Sequence, residues 1–211
     1  NQSGWLLVLD NADDLEALVS HLPHYHLGHL LLTTRIGNTV RWAAPITLTQ
    51  FGREDGATLL LRRAGLLSVG QPLSGLPKDT VMAAAALSLE LGGLPLALDQ
   101  AGAYLAQTAV TAADYLTLYR ERGLGLLDSV TNREHASVTI TFGLALERLS
   151  QRGTDGEAAA DMVRLCAFLA PDAIPESVLT CGTQSERCGE IIALVCGHSL
   201  AARDRQMGTL T

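Results

Sequence analysis

The chain has 211 residues, of which 47% are hydrophobic and 4% aromatic, and its formal net charge is −7. This apolar content is enough for a real core, and because Leu, Ala and Val must fill it in place of aromatic rings, helix packing is favoured over a β-sandwich. The acidic balance argues against a nucleic-acid binder, which normally presents a basic face to the phosphates.

The first predicted element is a strand over Trp5–Leu9 that ends at Asp10. A continuous apolar run suits a strand buried on both faces, as in a parallel sheet covered by helices. A helix is predicted over 14–22, with acidic residues at its N-terminus and Pro23 after its end. Because the chain starts at Asn1 and a core strand follows almost at once, we expect it to be a fragment of a longer protein.

A second buried strand is predicted over 29–35 and a shorter third one over Ile46–Leu48. Strand, helix and strand in this order form a βαβ crossover, which pairs the strands in parallel. Ligands of open α/β sheets bind beyond the carboxyl ends of the strands. The sequence therefore places Asp10 and Arg35 at a ligand-binding edge.

From Phe51 onward the apolar residues follow helical spacing. A β-hairpin is predicted to begin within 199–210, and several helices followed by a hairpin is the order of a winged helix. The predicted helices cover 54–63, 80–91, 96–108, 112–121, 137–149, 156–169, 176–179 and 188–196, with 123–130 as a connector.

The apolar strand that ends in Asp10 has the form of a Walker B segment, in which a carboxylate at a strand tip holds Mg²⁺ beside nucleotide phosphates. The alternative is an aspartate that merely caps the next helix. Arg35 offers a planar fork suited to phosphate oxygens. Its alternative role is a surface salt bridge to Asp10 or Asp13.

The segment Leu91–Leu98 reads Leu-Gly-Gly-Leu-Pro-Leu-Ala-Leu, which is a helix end, a tight turn and a helix start with Pro95 in the first turn. Here the chain resembles the NB-ARC family of signal-transduction ATPases, found in plant resistance proteins, apoptosome organisers and bacterial regulators. The part from Gly93 to Leu98 matches the family's GLPLA motif. Further segments resemble its Walker B, sensor 1, helical-lid and winged-helix parts, namely 6–14, 30–35, 51–64 and 165–179.

The resemblance implies a fold that is α/β plus all-α. Residues 1–50 would be the C-terminal part of a parallel-sheet P-loop NTPase domain, carrying Walker B and sensor 1. Residues 51–130 would be the helical lid domain, similar to ARC1. Residues 131–211 would be a winged-helix domain, similar to ARC2 and truncated at its C-terminus.

The resemblance also implies the roles of individual residues. Asp10 would be catalytic and would hold Mg²⁺ through water, with Asn11 beside it where many relatives carry a second acid. Because a neutral amide is a poor general base, Asn11 argues against hydrolysis even in the longer protein, and Asp13 and Asp14 are the alternative bases. The nucleotide-binding residues would be Thr33, Thr34 and Arg35, with Arg35 sensing the γ-phosphate, and Gly93, Leu94 and Pro95 near the adenine.

The implied function is a switch that binds ATP or ADP with Mg²⁺ in the full-length parent and controls signalling or oligomerisation by attached domains. The parent would be a slow ATPase. No Gly-x-x-x-x-Gly-Lys-Ser/Thr loop occurs in the 211 residues, so the chain itself is expected to be inactive and to bind nucleotide feebly. Its partners would be its own N-terminal P-loop half, flanking effector or repeat domains and, in the active state, other copies.

Two other functions are compatible with parts of the sequence. A DNA-binding winged-helix regulator would need a basic recognition helix, but Cys188–Cys196 carries no positive charge. A plain helical scaffold would leave Asp10 and Arg35 without a ligand. The cysteines, at 166, 181, 188 and 196, are expected to be free thiols of a cytoplasmic protein. A metal site formed by three of them with His198 is the alternative.

Overall fold

The computed structural model describes residues 4–19, 28–36, 43–126, 133–179 and 185–211. The chain divides into two compact units, Asn1–Thr49 and Gln50–Thr211. The end of the helix predicted over 14–22, the second half of the predicted connector 123–130 and Cys181 lie outside the described residues.

The described part of the first unit contains two strands and one short helix, and the second unit is mostly helical. The elements of the first unit are β1 Leu6–Leu9, α1 Leu15–Val19 and β2 His29–Leu32. Those of the second unit are α2 Arg53–Arg63, α3 Lys78–Glu90, α4 Pro95–Gln107, α5 Ala112–Leu126, α6 Arg133–Ser150, α7 Gly153–Cys166, β3 Ile174–Pro175, α8 Glu176–Leu179, α9 Ser185–Gly197, β4 Arg203–Asp204 and β5 Thr209–Leu210.

In the first unit, β1 and β2 pair in parallel with Leu6 opposite His29 and Leu9 opposite Leu32, as a βαβ crossover requires. The expected burial of β1 on both faces is wrong for the described chain, since Leu6 is 64% and Val8 is 51% exposed. Its described helix, α1, has five residues, which is too little to cover two faces of a sheet.

The third strand predicted over Ile46–Leu48 is also wrong, because these residues have no regular secondary structure. Ile46 is 81% and Leu48 is 90% exposed, so burial of their side chains does not stabilise a strand here. Pro45 just before them has no N–H to donate to a neighbouring strand.

The second unit contains two hydrophobic clusters, which share α6. The first cluster lies among α2, α3, α4 and α5, with Ile140 and Leu144 of α6 at its edge. The second lies among α6, α7, α9 and the short strands, and it includes Leu149. The fully buried side chains of the first cluster are Ala57, Leu60, Leu61, Ala84, Leu87, Leu91, Ala97, Leu98, Ala101 and Tyr115.

Two buried polar contacts fix α6 against the first cluster. The Thr141 hydroxyl donates to Gln100 Oε1 at 2.6 Å, which joins α6 to α4. The Tyr119 hydroxyl lies 2.9 Å from Ser137 Oγ, which joins α5 to α6. Because unpaired buried polar groups are costly, these contacts set the rotation of α6 as well as its position.

The last strands form a small antiparallel sheet in the order β3-β5-β4. The predicted hairpin is present as β4 and β5, with Asp204 Oδ1 accepting from the backbone N–H of Gln206 and Met207 in the turn. Arg203 donates from Nε and Nη2 to the two carboxylate oxygens of Glu176, at 2.6 and 2.7 Å, and this lowers the pKa of Glu176. The sheet is thereby tied to α8.

The helices follow the predicted ones with shifted ends. The largest difference is at α5, which continues to Leu126 where a connector was predicted from Gly123. Gly123 is tolerated there because helix interiors accept glycine at a cost of about 1 kcal/mol. Within the described residues, no helix has the length and the run of apolar side chains that crossing a lipid bilayer would need.

We expect Leu87→Ala to lower the free energy of unfolding of the second unit by about 3 kcal/mol, because it opens a cavity in the first cluster. Leu87 is fully buried on α3, whereas Leu89 on the same helix is 58% exposed. Leu89→Ala is the matched control and should cost less than about 1 kcal/mol. Urea denaturation followed by circular dichroism measures both, and equal losses would contradict the burial described here.

Candidate functional site

The ends of β1 and β2 meet through the Thr33 hydroxyl. This hydroxyl donates to Asp10 Oδ1 and accepts from the Asn11 N–H at 2.8 Å. The backbone closes the same edge, with Thr33 N–H bonded to Leu9 O at 3.0 Å and Ala12 N–H bonded to Thr33 O at 2.7 Å. Asp10 remains exposed, so its side chain is accessible to solvent at the tip of the sheet.

Asn11 bends the chain directly after Asp10. Its φ is +55°, in the left-handed region where asparagine is several-fold enriched among residues other than glycine. The bend lets the Asn11 N–H reach Thr33 Oγ1. Its backbone therefore has a structural role at the strand tip.

Asp13 binds Arg35 through both carboxylate oxygens. Oδ1 accepts from the Arg35 backbone N–H at 2.9 Å and from the Thr34 hydroxyl at 3.1 Å. Oδ2 accepts from Arg35 Nε at 2.6 Å and from Nη2. The backbone hydrogen bond from Arg35, followed by the guanidinium bonds, holds the pKa of Asp13 below its ordinary value. The salt bridge to Asp13, one of the two roles weighed for Arg35, is thus present.

From the sequence, Asp13 is an alternative partner of Arg35 and an alternative base, but it is not counted among the predicted binding residues. It lies 22 residues before Arg35, and Asp10 lies 23 residues before Thr33. The pairs Asp10–Thr33 and Asp13–Arg35 therefore have nearly the same separation in sequence. Because the two strands are parallel, this separation brings all four residues to the same edge of the sheet. That spacing is the signal from which Asp13 could have been found.

In the second unit, Gly92 and Gly93 turn the chain from α3 into α4, with φ of +68° and +63°. Gly93 N–H bonds Ser88 O at 2.9 Å, and Gly93 O accepts from Phe51 N–H at 2.9 Å. Gly93 is buried, and a Cβ on it would lie 2.2 Å from Phe51 O. Pro95 is the first residue of α4 and is exposed.

The predicted site residues fall in both units. The first unit brings together Asp10, Asn11, Thr33, Thr34 and Arg35, and adds Asp13. The second unit holds Gly93, Leu94 and Pro95 in one turn. The meeting of both groups around one nucleotide stays a prediction.

The described cysteines at 166, 188 and 196 are free thiols, and burial raises the pKa of each. Among the described residues no group of three or more His, Cys, Asp or Glu side chains is placed to hold a metal ion. The alternative zinc-type site would also need Cys181, which lies outside them.

No family model matches the chain. A nucleotide-binding leucine-rich repeat (NLR)-like protein of Hyaloscypha variabilis is 30% identical in an alignment of 139 residues, and the match covers 57% of this chain and 13% of that protein. The chain therefore spans about an eighth of the length of the curated relative that it matches. The name of that protein includes nucleotide binding. The aligned region is a small part of its length.

We expect Gly93→Ala to destabilise the second unit far more than Gly92→Ala. Both changes place a Cβ at positive φ, at about 1 to 2 kcal/mol each. A Cβ on Gly93 would also collide with Phe51 O, whereas one on Gly92 would find its nearest neighbour 4.0 Å away, at Leu94 Cγ. Thermal unfolding of the two variants measures the difference, and a smaller loss for Gly93→Ala would show that the turn does not lock α2 to α4.

We expect Arg35→Gln to raise the pKa of Asp13 toward its ordinary value, because the guanidinium bonds that favour the carboxylate are lost. A depressed pKa stabilises the fold above the pKa of the unfolded chain, and this contribution is lost as the pH falls through the folded pKa. Carbon-detected NMR titration of the Asp13 carboxyl measures the shift. An unchanged titration in Arg35→Gln would contradict the pairing, and Arg53→Gln, outside the site, is the control.

Proposed function

We propose that residues 1–211 form part of an ATP- or ADP-binding regulatory switch that controls signalling or oligomerisation by attached domains. The observation that carries the proposal is the cluster at the carboxyl ends of β1 and β2, where Asp10 and Thr33 share a hydrogen bond and Arg35 lies on the same edge. This is the edge at which open parallel sheets bind ligands. The similarity to a nucleotide-binding NLR-like protein points the same way.

In this proposal residues 1–50 are the C-terminal part of a P-loop NTPase domain and 51–130 are its helical lid. The parallel β1–β2 pair supports the first assignment. The exposed strand residues Leu6, Val8 and Leu31 suit a surface that packs against the P-loop half of the same domain. That half would also supply the phosphate-binding loop that the 211 residues lack.

Residues 131–211 are proposed to be a winged-helix domain. Its support is the element order α7-β3-α8-α9-β4-β5 together with the sheet order β3-β5-β4. α9 turns Cys188, Ile191, Ile192 and Val195 into the second cluster. Arg187 is the positively charged residue of α9 within the described chain, and its Nε and Nη2 donate to Asp155 Oδ1 at 3.1 and 2.9 Å. This pairing argues against α9 as a helix that reads DNA.

The residues at the strand tip fit a magnesium ion. Asp10 offers an exposed carboxylate, and hard oxygen ligands are what Mg²⁺ prefers, often through water. When bound, the ion would neutralise charge on the nucleotide phosphates. Thr33 would orient the carboxylate by its hydrogen bond to Oδ1, and Asn11 would orient water without acting as a strong base.

Arg35 would exchange partners when nucleotide binds. It pairs with Asp13 in this structure, and its side chain is 83% exposed. Exposed ion pairs contribute little because water screens them, so a phosphate oxygen can replace Asp13 at low cost. The pair with Asp13 would then be the empty state of the γ-phosphate sensor.

The turn at 92–95 would carry the signal into the helical lid. Pro95 is exposed at the start of α4, where contact with adenine is proposed, and Gly93 O is hydrogen-bonded to Phe51 N–H just before α2. A change in the position of this turn would therefore move the starts of two lid helices together. Different contacts to ADP and ATP would shift the population between two lid positions.

The proposal is tested in the natural protein that contains residues 1–211, by titrating fluorescent ADP with and without Mg²⁺. Asp10→Asn should weaken Mg²⁺-dependent binding at least tenfold, since it removes a negative charge from the proposed ligand. Asp14→Asn is the matched control, because Asp14 caps α1 through the Ala17 N–H at 3.0 Å and asparagine preserves that cap.

The isolated 211-residue chain should bind ADP weakly, because its sequence contains no P-loop. Tight binding by this chain, or equal affinities of Asp10→Asn and Asp14→Asn in the natural protein, would contradict the assignment of the site.

A further inference from the structure

Three arginines and a buried histidine come together at the C-terminal end of α9. Arg63 comes from α2, Arg148 from α6, and Arg152 from the residue just before α7, while His198 directly follows α9. We call these four residues the arginine–histidine cluster. It lies within the second unit and shares no residue with the proposed nucleotide site.

Hydrogen bonds hold two of the arginines beside His198. Arg63 Nη2 donates to Ser199 Oγ at 2.8 Å and to Gly197 O at 3.4 Å, on either side of His198 in the chain. Arg152 Nη1 donates to Gln107 Oε1 at 3.3 Å, and a Cβ on Gly197 would lie 3.6 Å from Gln107 Nε2.

Arg148 completes the cluster from the last turn of α6. Both Arg148 and Arg152 lie close enough to His198 for their charges to lower its pKa, and so does Arg63. Leu149, the next residue, belongs to the same hydrophobic cluster as Val195 of α9. The end of α6 is therefore packed against the helix that precedes His198.

Two nitrogen atoms of this cluster are buried without a hydrogen-bond partner among the described residues, His198 Nε2 and Arg148 Nε. His198 is 1% exposed, and its Nδ1 lies 2.9 Å from Leu194 O. Since a carbonyl oxygen accepts, Nδ1 carries the hydrogen, and in the neutral ring Nε2 has a bare lone pair. Buried polar atoms normally have a hydrogen-bond partner, so a ligand that pairs with both atoms would restore the usual pattern.

The charges of the cluster are also unbalanced. Among the described residues, Asp99 is the carboxylate that pairs with it, through Arg63 Nε at 3.0 Å. The acids adjacent in sequence are used elsewhere, because Glu147 pairs with Arg122 and Asp155 with Arg187. The C-terminal end of α9 adds roughly half a negative charge. Within the described ranges, Arg148 and Arg152 are thus left without an ionic partner.

Solvent reaches the cluster from two sides. Arg152 is exposed, and Arg148 lines an open groove of about 650 Å³ together with Tyr104 and Thr108. Asp114 and Glu121 also line this groove, but within the described chain neither forms an ion pair with Arg148. A small anion can therefore approach the guanidinium groups of Arg148 and Arg152 from solvent.

We propose that the arginine–histidine cluster binds a phosphate-class anion, with Arg148, Arg152 and His198 Nε2 as donors. The anion would supply the missing acceptor for Arg148 Nε and the missing counter-charge for two guanidinium groups. It would bridge α6 and α9, and Arg63 would extend the bridge to α2. The anion would thereby hold the lid helices against the C-terminal part of the unit.

Binding of the anion requires a proton on His198 Nε2. Without the anion, burial and the three neighbouring arginines lower the pKa of His198, so the ring is neutral at pH 7. A bound anion offsets the arginine charges and favours the protonated ring, whose Nε2–H then donates to it. Anion binding is therefore accompanied by proton uptake and tightens as the pH falls toward 6.

The test is isothermal titration calorimetry of the 211-residue chain with sulfate and with inorganic phosphate, at constant ionic strength and pH 7. Saturable binding is expected, at least tenfold weaker in Arg148→Gln. Arg164→Gln should leave it unchanged, because Arg164 is an exposed residue of α7 that pairs with Asp161. Sulfate does not titrate near pH 7, so its heat in buffers of different ionisation enthalpy reports the proton taken up by the protein.

Absence of saturable binding, equal affinity of Arg148→Gln and Arg164→Gln, or sulfate binding without proton uptake would each overturn the proposal. If Arg148→Gln does not fold, sulfate affinity and proton uptake in the unaltered chain still decide it, and His198→Gln should abolish the uptake. A parallel titration with phosphoserine identifies the source of the anion. At least tenfold tighter binding of phosphoserine than of sulfate assigns the site to a phosphate monoester, and equal affinities assign it to inorganic anions.

Discussion

The second unit depends on α6 being buried on two faces at once. Ile140 and Leu144 belong to the first cluster, whereas Phe142, Leu146 and Leu149 belong to or pack against the second. Spacings of four and then three residues place each set on one side of a helix. Because both interiors are close-packed, a rotation or shift of α6 that suits one cluster must disturb the other. The helices on its two sides therefore cannot move independently.

Contacts along this helix connect the glycine turn to the arginine–histidine cluster. Gly93 fixes the start of α4, Gln100 of α4 is bonded to Thr141 of α6, and α6 ends beside His198. Each of these contacts is a packed helix or a buried hydrogen bond. A displacement of the glycine turn would therefore also move the end of α6. A ligand at either end would then be felt at the other, provided that the lid has two positions and the ligand binds them unequally.

The sequence was sufficient for most of the helices, because their apolar residues recur with helical period and Gly92, Gly93 and Pro95 mark the ends. It was also sufficient for the parallel pairing of β1 and β2. It failed at Ile46–Leu48, where an apolar pattern belongs to side chains that are exposed in the described structure. The sequence offered both Asp10 and Asp13 as partners of Arg35, and only the strand register decides between them. The approach of three arginines to His198 depends on several helices meeting, so it is not encoded in a local pattern.

Two arginines on this chain illustrate how burial sets the response to an anion. Arg35 is exposed and already paired with Asp13, so an incoming phosphate replaces one weak, screened partner by another and the net gain is small. Arg148 is half-buried and has a buried nitrogen without an acceptor among the described residues, so an anion there displaces no described protein partner. The exposed arginine is suited to sensing which nucleotide is bound, because its choice of partner is nearly balanced. Arg148 is suited to retaining an anion, because a half-buried guanidinium group without a partner is energetically unfavourable.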